Sequence, residues 1–209
     1  MKRVFNLIIV DESGSMSIIR KQAFSGMNET LSTVRAMQEK YPDTEQHVTL
    51  VTFDSDNLKW HYNDVLAKET RNLDWNDYKP RAATPLYDTI GITVSKLNAI
   101  VNSDDNVLVT IITDGEENSS QEWTLKMVKN LIEKLKEQKW TFALIGTDNL
   151  DVEGMAGSLC IDDHMKFCED EEGTEKMFRR EKKARMKYYE CVTNNCEMPK
   201  GKFFEEEDE

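Results

Sequence analysis

The chain has 209 residues, of which 39% are hydrophobic and 32% charged, and its formal net charge at pH 7 is −12. This length and balance are typical of a single globular domain that is large enough to bury a proper core. The negative charge excludes broad binding to nucleic acid or to an anionic membrane, because both need a positive surface. The first residues, MKRVFNLIIVDES, lack the pattern of a secretion signal, and no apolar run approaches the roughly 20 residues that span a bilayer. We therefore expect a cytoplasmic protein.

Predicted strands and helices alternate along the chain. Continuous apolar runs predict buried strands at 4–10, 47–53, 106–113 and 140–146, and apolar residues at helical spacing predict helices at 17–40, 85–101, 122–138 and 171–190. The alternating segment 58–66 predicts an edge strand in a hairpin, and a weak strand is expected near Leu159–Ile161, after a short turn or helix. This order predicts an α/β fold with a doubly wound, mostly parallel sheet, one antiparallel edge strand and helices on both faces.

The composition predicts one domain over residues 1–190 and an acidic tail over residues 191–209. The end of the chain, PKGKFFEEEDE, is polar and strongly acidic, which favours a flexible segment. The basic segment 176–190 carries apolar residues at helical spacing, so we expect its lysines and arginines to form the solvated side of a helix rather than a contact with nucleic acid or membrane.

The four cysteines all lie in the last quarter of the chain, at Cys160, Cys168, Cys191 and Cys196. In a chain without an export signal we expect reduced thiols rather than a disulfide framework. A zinc site is the alternative, because Cys191 and Cys196 are close in sequence, but the other two cysteines do not form a matching pair.

Oxygen-bearing side chains follow two of the predicted strands. The first strand runs into DESGSMS, which supplies Asp11, Ser13 and Ser15, and the strand at 106–113 ends at Asp114. Doubly wound sheets bind ligands beyond the carboxyl ends of their strands, where the strand order reverses. If these two strands are neighbours, their carboxylates lie close together and repel each other unless a cation lies between them.

A third segment adds a hydroxyl to the same edge. The polar loop 70–83 leads to Thr84, just before a helix that begins at Pro85. Two carboxylates and three hydroxyls form an all-oxygen set, which suits a hard divalent ion: Mg²⁺ first, with Mn²⁺ or Ca²⁺ as alternatives. The competing interpretation is that Asp11 and the serines only cap the following helix. The three segments in this order make chance a poor explanation.

The segments DESGSM, ATPLYDTI and TDGEEN together resemble the von Willebrand factor A (VWA) domain and its metal-ion-dependent adhesion site (MIDAS). The resemblance covers about residues 1–190 and implies a Rossmann-like fold. It also implies the metal ligands, with the hydroxyls contacting the ion directly and the aspartates often acting through water. Those ligands would be Asp11, Ser13, Ser15, Thr84 and Asp114.

Two pairs of residues lie beside these ligands in the sequence. Ala82 and Ala83 stand where many relatives have glycines before the threonine, a departure that removes no ligand. Glu116 and Glu117 fall next to Asp114 and are either charges on the rim of the site or parts of an acidic turn before a helix.

The resemblance implies a protein-interaction module, in which the open coordination position of the metal accepts an Asp or Glu carboxylate from a partner protein. The alternative is a Mg²⁺-dependent phosphoryl-transfer enzyme, since such enzymes also place an aspartate at a strand end. An aspartyl-phosphate phosphatase usually needs a second acid two residues later, where this chain has Ser13, and the later strand ends offer no lysine. The motifs GxxxxGK[ST], GxGxxG and GxSxG are absent.

We therefore expect a non-enzymatic, metal-dependent binding module. A plain scaffold that binds no metal is a third interpretation, which the intact set of five oxygen ligands disfavours. The sequence leaves the identity of the partner and the oligomeric state open.

Overall fold

The computed structural model describes residues 1–196 and 198–205. Within them the strands are β1 Lys2–Asp11, β2 Thr44–Asp54, β3 Asn57–Leu66, β4 Asn106–Thr113, β5 Trp140–Thr147 and β6 Asp163–Phe167. The helices are α1 Arg20–Lys40, α2 Leu86–Asn98, α3 Leu125–Lys136, α4 Val152–Leu159 and α5 Glu171–Thr193. Short 3₁₀ turns occupy Gly14–Ser17, Ala67–Glu69 and Trp75–Asp77.

The six strands form one sheet in the order β3-β2-β1-β4-β5-β6. All neighbouring pairs are parallel except β2 and β3, which form an antiparallel hairpin at one edge. This arrangement confirms the predicted doubly wound sheet with one antiparallel edge strand.

Apolar side chains of the sheet are buried on both of its faces. In β1, Val4, Ile8 and Val10 belong to one hydrophobic cluster, which also contains side chains of α1 and α5. The alternate residues Phe5 and Leu7 belong to a second cluster with side chains of α2, α3 and α4. Because successive side chains of a strand point to opposite faces, this alternation explains why β1 is apolar along most of its length.

Helix α5 is tied to the sheet by a buried ion pair as well as by apolar contacts. The Arg185 guanidinium donates to Glu181 Oε1 at 2.7 Å, to Asn6 Oδ1 at 2.9 Å and to Thr110 Oγ1 at 2.9 Å. Arg185 and Glu181 are both fully buried. These contacts satisfy a charge that would otherwise be costly to bury, and they fix α5 against β1 and β4.

Several element boundaries differ from the expected ones. Helix α1 begins at Arg20 because residues 14–17 form a 3₁₀ turn instead of its first turn. The weak strand expected near Leu159–Ile161 lies farther along, at Asp163–Phe167, because α4 runs to Leu159 and Cys160 ends it in the left-handed conformation, with φ of 57°. Helix α5 continues three residues past the expected end at residue 190.

The described part of the predicted tail packs on the domain. Phe203 and Phe204 are both buried, and the ring of Phe203 lies 6.3 Å from the ring of Tyr188. The backbone N–H of Phe203 donates to Asp163 Oδ1 at 2.8 Å, and Arg180 donates to the carbonyl of Phe204 at 3.1 Å. The acidic charge had suggested a flexible segment, but two phenylalanines bury enough apolar surface to dock it. Residues 206–209 lie outside the described residues.

Two further observations concern the cysteines and the helices. Cys191 and Cys196 form a disulfide, where the sequence had suggested reduced thiols, and Cys160 and Cys168 are free. No helix within the described residues is long and apolar enough to cross a bilayer.

Candidate metal centre

The first and fourth strands are neighbours, as the metal-site hypothesis requires. Val10 of β1 lies opposite Ile112 of β4, so Asp11 and Asp114 follow at the same edge of the sheet. The chain passes from β1 to β2 on one side, whereas β4, β5 and β6 lie on the other side. The gap between β1 and β4 is therefore the point where the strand order reverses, the usual ligand position in such sheets.

Hydrogen bonds connect four of the five predicted ligands. The backbone N–H of Ser13 donates to Asp11 Oδ1 at 2.7 Å, which turns the chain back toward the strand end. The Ser15 hydroxyl donates to Asp114 Oδ1 at 2.9 Å, and the Ser13 and Ser15 hydroxyl oxygens are 3.2 Å apart. The loop after β1 thus joins the carboxylates of the two strands.

Thr84 reaches the same place from the opposite side. A Cβ atom added to Gly115 would lie 2.8 Å from Thr84 Oγ1 and 3.7 Å from Asp11 Oδ2, so both side chains meet beside this glycine. Asn118 holds Thr84 by two hydrogen bonds: its side-chain oxygen accepts from Thr84 N at 2.9 Å, and its N–H donates to Thr84 O at 3.1 Å. The structure therefore brings all five predicted residues together.

The carboxylates are buried and incompletely paired. Asp11, Ser13, Thr84 and Asp114 are buried, while Ser15 is exposed and lies on the open side of the cluster. Asp114 Oδ2 is shielded from solvent and has no hydrogen-bond partner within the described residues. A buried carboxylate oxygen without a partner costs free energy, and a bound cation would satisfy it.

The protonation equilibria of both aspartates reflect this burial. Burial raises the pKa of Asp11 above its ordinary value, against the lowering effect of the hydrogen bonds from Thr113 and Ser13. Burial, and next the charge of Asp11, raise the pKa of Asp114 to about 7. Two adjacent carboxylates that resist ionisation are the electrostatic complement of a divalent cation.

Thr113 belongs to the site although the sequence reasoning did not select it. Its hydroxyl donates to Asp11 Oδ2 at 2.6 Å, and it also accepts from the N–H of Gly115 at 3.1 Å. The sequence signal for Thr113 is its position directly before Asp114. A buried hydroxyl at the end of an apolar strand needs a hydrogen-bond partner, which places one near the site.

Glu12 and Tyr78 hold the loop that carries Thr84. The buried carboxylate of Glu12 accepts from Lys79 N and from the Thr52 hydroxyl, and its carbonyl accepts from Arg81 N at 2.8 Å. The Tyr78 hydroxyl donates to the carbonyl of Asp11 at 2.7 Å. The loop is thereby fastened to the end of β1, and its contacts were not visible in the sequence pattern.

The two glutamates after Asp114 have different positions. The Glu117 carboxylate accepts from the backbone of Tyr87 at 2.8 Å, of Ser119 at 2.8 Å and of Ser120 at 2.7 Å, so it shapes the turn and joins it to the start of α2. Glu116 is exposed. Glu117 therefore serves the structural role that the sequence left open, and Glu116 contributes charge near the rim.

The donor set fits a hard divalent ion. It comprises two carboxylates and three hydroxyls, with one carboxylate oxygen left unpaired, and it contains no nitrogen or sulfur ligand. Within residues 1–196 and 198–205 no group of three or more His, Cys, Asp or Glu side chains is placed to hold a metal ion. The hydroxyls are therefore essential to any metal site built on Asp11 and Asp114.

Comparison with known proteins supports the fold. The vWF domain of the type V pili tip protein Mfa5 from Porphyromonas gingivalis matches with a TM-score of 0.61 at 10% identity, covering 95% of this chain and 98% of that chain. The SpRpn10 VWA domain matches with a TM-score of 0.56 at 13% identity, covering 86% and 94%. The pilus adhesin SpaC from Lactobacillus rhamnosus GG matches with a TM-score of 0.65 at 15% identity over 90% of this chain.

These likenesses concern the fold alone, because every identity is low. No protein-family model and no curated protein sequence matches the chain. The chain spans between 30% and 61% of the length of three longer matched structures. It has the α/β architecture of a VWA domain.

Proposed function

We propose that this VWA-like domain is a protein-interaction module that binds a partner carboxylate through a divalent metal ion, Mg²⁺ in the first place. Asp11, Ser13, Ser15, Thr84 and Asp114 would hold the ion, and an Asp or Glu side chain of the partner would complete its coordination. The VWA fold supports a role in protein interaction in general. The metal dependence and the carboxylate are our inference from the site.

The unpaired, buried Oδ2 atom of Asp114 is the observation that carries the proposal. Its neighbour Oδ1 accepts from Ser15, whereas Oδ2 is shielded from solvent and accepts no hydrogen bond within the described residues. The charge of Asp11 further disfavours ionisation of Asp114. A cation between the two carboxylates would remove both costs at once.

The charge of the chain explains why a carboxylate partner would need the metal. The formal net charge is −12, and Glu169 adds to the negative potential that raises the pKa of Asp114. Without a cation this edge repels an acidic partner. A dication held by three neutral hydroxyls and two carboxylates would attract an additional anionic oxygen. Ser15 lies on the exposed side, where a partner would approach.

Isothermal titration calorimetry with MgCl₂ tests the metal site. We expect one ion per chain, with binding weakened at least tenfold by Asp11→Ala and by Thr84→Ala. Asp56→Ala is the matched control, because Asp56 is an exposed aspartate in the turn between β2 and β3. Equal affinity of the wild type and the three variants for Mg²⁺ would contradict the assignment of the metal to these residues.

Nuclear magnetic resonance titration tests the partner carboxylate. The probes are acetyl-Gly-Asp-Gly-amide and its isosteric control acetyl-Gly-Asn-Gly-amide, each added in MgCl₂ and in EDTA. We expect chemical-shift changes in the loop after β1 only for the aspartate peptide in MgCl₂. Equal responses to both peptides, or a response that survives EDTA, would contradict metal-mediated carboxylate binding.

The absence of enzymatic activity is part of the proposal. The groups that hydrogen-bond to Asp11 and Asp114 are hydroxyls and a backbone amide, which suit metal binding rather than proton transfer. Hydrolysis of p-nitrophenyl phosphate in MgCl₂ provides the check. Turnover that Asp11→Asn abolishes would support the alternative of a phosphoryl-transfer enzyme.

A cytoplasmic location is likewise proposed. The disulfide between Cys191 and Cys196 is an observation against it, because disulfides are rare in reducing compartments. Subcellular fractionation, with thiol counting by mass spectrometry on protein alkylated at lysis, decides the matter. Recovery outside the cell with two alkylated cysteines would overturn the proposal.

A further inference from the structure

A groove follows the free edge of the sheet at β6. β6 is the last strand in the sheet, and within the described part of the chain no strand lies on its outer side. The groove has a volume of 400 Å³. Its walls are the end of β6 with the residues that follow it, Met165 to Cys168 and Asp170, and one stripe of α5, which carries Glu172, Gly173, Lys176, Met177 and Arg180.

Within the described residues, the outward-facing backbone groups of β6 have no strand partner. The carbonyl of Phe167 accepts from Asp148 N at 2.7 Å, on the inner side toward β5. Because the N–H and C=O groups of successive strand residues point to opposite sides, those of His164 and Lys166 face the free edge. An exposed edge of this kind is a template for an additional strand.

The described end of the chain already approaches the lower end of the groove in the direction of β6. Phe203 N donates to Asp163, the first residue of β6, and the next residue, Phe204, accepts from Arg180. Helix α5 starts where β6 ends and runs back along it, so a segment that passes from Tyr188 toward Arg180 runs parallel to β6. Residues 203 and 204 themselves form a turn, so this contact brings the chain to the start of the free edge without a strand pairing among the described residues.

The side chains of the groove combine an apolar floor with a small excess of positive charge, since three cationic side chains and two carboxylates line it. Phe167 and Met177 are buried beneath it, while Lys166 and Lys176 are exposed at its sides. Lys176 pairs with the exposed Glu172, a contact of low strength. The exposed residues Arg179, Arg180 and Lys183 of α5 continue the positive charge, whereas Lys182 is paired with Glu29 of α1.

We propose that this groove binds an extended acidic peptide segment of a partner protein, which adds to the free edge of β6 as a further strand. Main-chain hydrogen bonds to His164 and Lys166 would supply the pairing. Acidic side chains on one face of the added strand would meet Lys176, while Lys166 would add to the positive potential along the edge. None of the pairing groups belongs to the five predicted metal ligands, so the interaction should not need a divalent ion.

Fluorescence anisotropy with a labelled peptide, Glu-Val-Glu-Val-Glu, tests the proposal. It is measured in EDTA on the full chain and on a chain that ends at Glu205, so that residues 206–209 cannot compete for the same cations. We expect saturable binding, lost by at least tenfold when lysine replaces glutamate in the peptide. Absence of binding to both proteins would overturn the proposal.

Protein variants separate strand pairing from simple charge attraction. Lys166→Pro removes an N–H group that faces the free edge, where proline costs no ladder hydrogen bond, so the melting temperature should change little while binding falls at least tenfold. Lys166→Ala removes the charge but keeps the N–H and should cost about threefold. Lys176→Glu should weaken binding at least tenfold, and Lys126→Glu, an equal charge change on the exposed side of α3, should not.

Modified peptides keep the test valid if Lys166→Pro fails to fold. One peptide is N-methylated at the two valines, which blocks the N–H groups on one edge of the added strand. The other is N-methylated at the central glutamate, which blocks an N–H group on the opposite edge. Neither modification changes the charge of the peptide. We expect one of the two peptides to lose binding and the other to keep it. Equal binding of both would show attraction to a solvated basic face without strand addition, which contradicts the proposal. Preferential binding to anionic vesicles over the peptide would also contradict it.

Discussion

Ala82 has a backbone conformation that suits glycine better than alanine. Its φ is 59°, in the left-handed region, and its carbonyl accepts from Gly14 N at 3.1 Å, which joins the loop before Thr84 to the loop after Asp11. Left-handed backbone costs a non-glycine residue about 1–2 kcal/mol. The strained residue therefore lies where the loop that carries Ser13 and Ser15 meets the loop that leads to Thr84.

Ala82→Gly should therefore stabilise the protein. Relief of the left-handed strain exceeds the added entropy of the unfolded chain, so we expect a net gain of about 0.5–1 kcal/mol in the free energy of unfolding. Urea denaturation measures it. Ala83→Gly is the matched control, since Ala83 does not have positive φ, and it should destabilise by about 0.4–1 kcal/mol. Equal effects of the two substitutions would contradict the strain at Ala82.

His61 makes stability depend on pH in the acidic range. Burial, and next the charge of Lys59, lower its pKa from 6.5 to about 4, and its Nε2 lies 2.9 Å from Thr52 Oγ1. The unfolded chain binds a proton more readily than the folded chain between these two values, so folding loses stability as the pH falls from about 6.5 toward 4. Above pH 7 the imidazole is neutral in both states and has no such effect.

His61→Gln should flatten this part of the stability profile. We expect the free energy of unfolding of the variant to fall less steeply than that of the wild type between pH 6.5 and 4.5, in urea titrations at each pH. His164→Gln, at an exposed position on β6, serves as the control and should leave the slope unchanged. A wild-type slope that persists in His61→Gln would assign the acid sensitivity to other groups.

At the scale of elements, the contact between α1 and α5 depends on a missing side chain. A Cβ atom at Gly26 would lie 2.1 Å from the ring of Phe178, which is buried in the core and has no free space to move. Gly157 in α4 is also helical, but a Cβ atom there would meet nothing within 4 Å. Alanine substitution at the two glycines therefore distinguishes the effect of helix propensity from the effect of packing.

Gly26→Ala should destabilise the protein although alanine favours helix. Overpacking costs about 1–3 kcal/mol, which outweighs the gain of about 1 kcal/mol in helix propensity. Gly157→Ala should instead stabilise by up to about 1 kcal/mol. Thermal unfolding measures both, and the double variant with Phe178→Leu should recover part of the loss. Stabilisation by Gly26→Ala would contradict the close approach of α1 and α5.

At the scale of the whole molecule, a bound metal should raise the melting temperature. An ion that binds only the folded chain stabilises it by mass action, so MgCl₂ at ten times its dissociation constant should add about 3–6 °C at pH 8. Asp114→Asn removes one of the two adjacent charges, so it should raise the melting temperature in EDTA and reduce the increment from Mg²⁺. Curves that coincide in MgCl₂ and EDTA would count against the metal centre.

The docked end of the chain contributes to stability without contributing to the metal centre. Phe203 is fully buried against Tyr188 and lies at the start of β6, at the opposite edge of the sheet from Asp11. Phe203→Ala should lower the free energy of unfolding by about 3–5 kcal/mol, whereas Lys200→Ala at an exposed position should change it little. Calorimetry on the folded variant should give an unchanged affinity for Mg²⁺. An equal loss in both variants would mean that this segment is not docked.

Much of the fold could be predicted because its strands are buried on both faces. The apolar runs of β1, β2, β4 and β5 and the periodic helices located the elements, and the parallel order followed from their alternation. β6 was misplaced because it is short and exposes alternate residues, so its apolar signal is weak. Phe203 was missed because the acidic residues around it dominate the local composition.

The convergence of Asp11, Thr84 and Asp114 could be anticipated because parallel strands deliver their carboxyl ends to one edge. The contacts that hold these residues in place could not be anticipated from the sequence. Glu12 and Tyr78 act through contacts more than sixty residues apart in sequence, and no local pattern distinguishes a loop anchor from an ordinary buried polar side chain.

Strand β1 crosses the full depth of the sheet, from Lys2 at one edge to Asp11 at the other. At about 3.3 Å per residue, its beginning lies roughly 30 Å from the loop that would carry the ion. Met1 is 81% exposed at that far side. A biotin attached there would orient every molecule on a sensor surface with Ser15 facing the flowing solution, an arrangement in which even a bulky ligand meets no obstruction from the support.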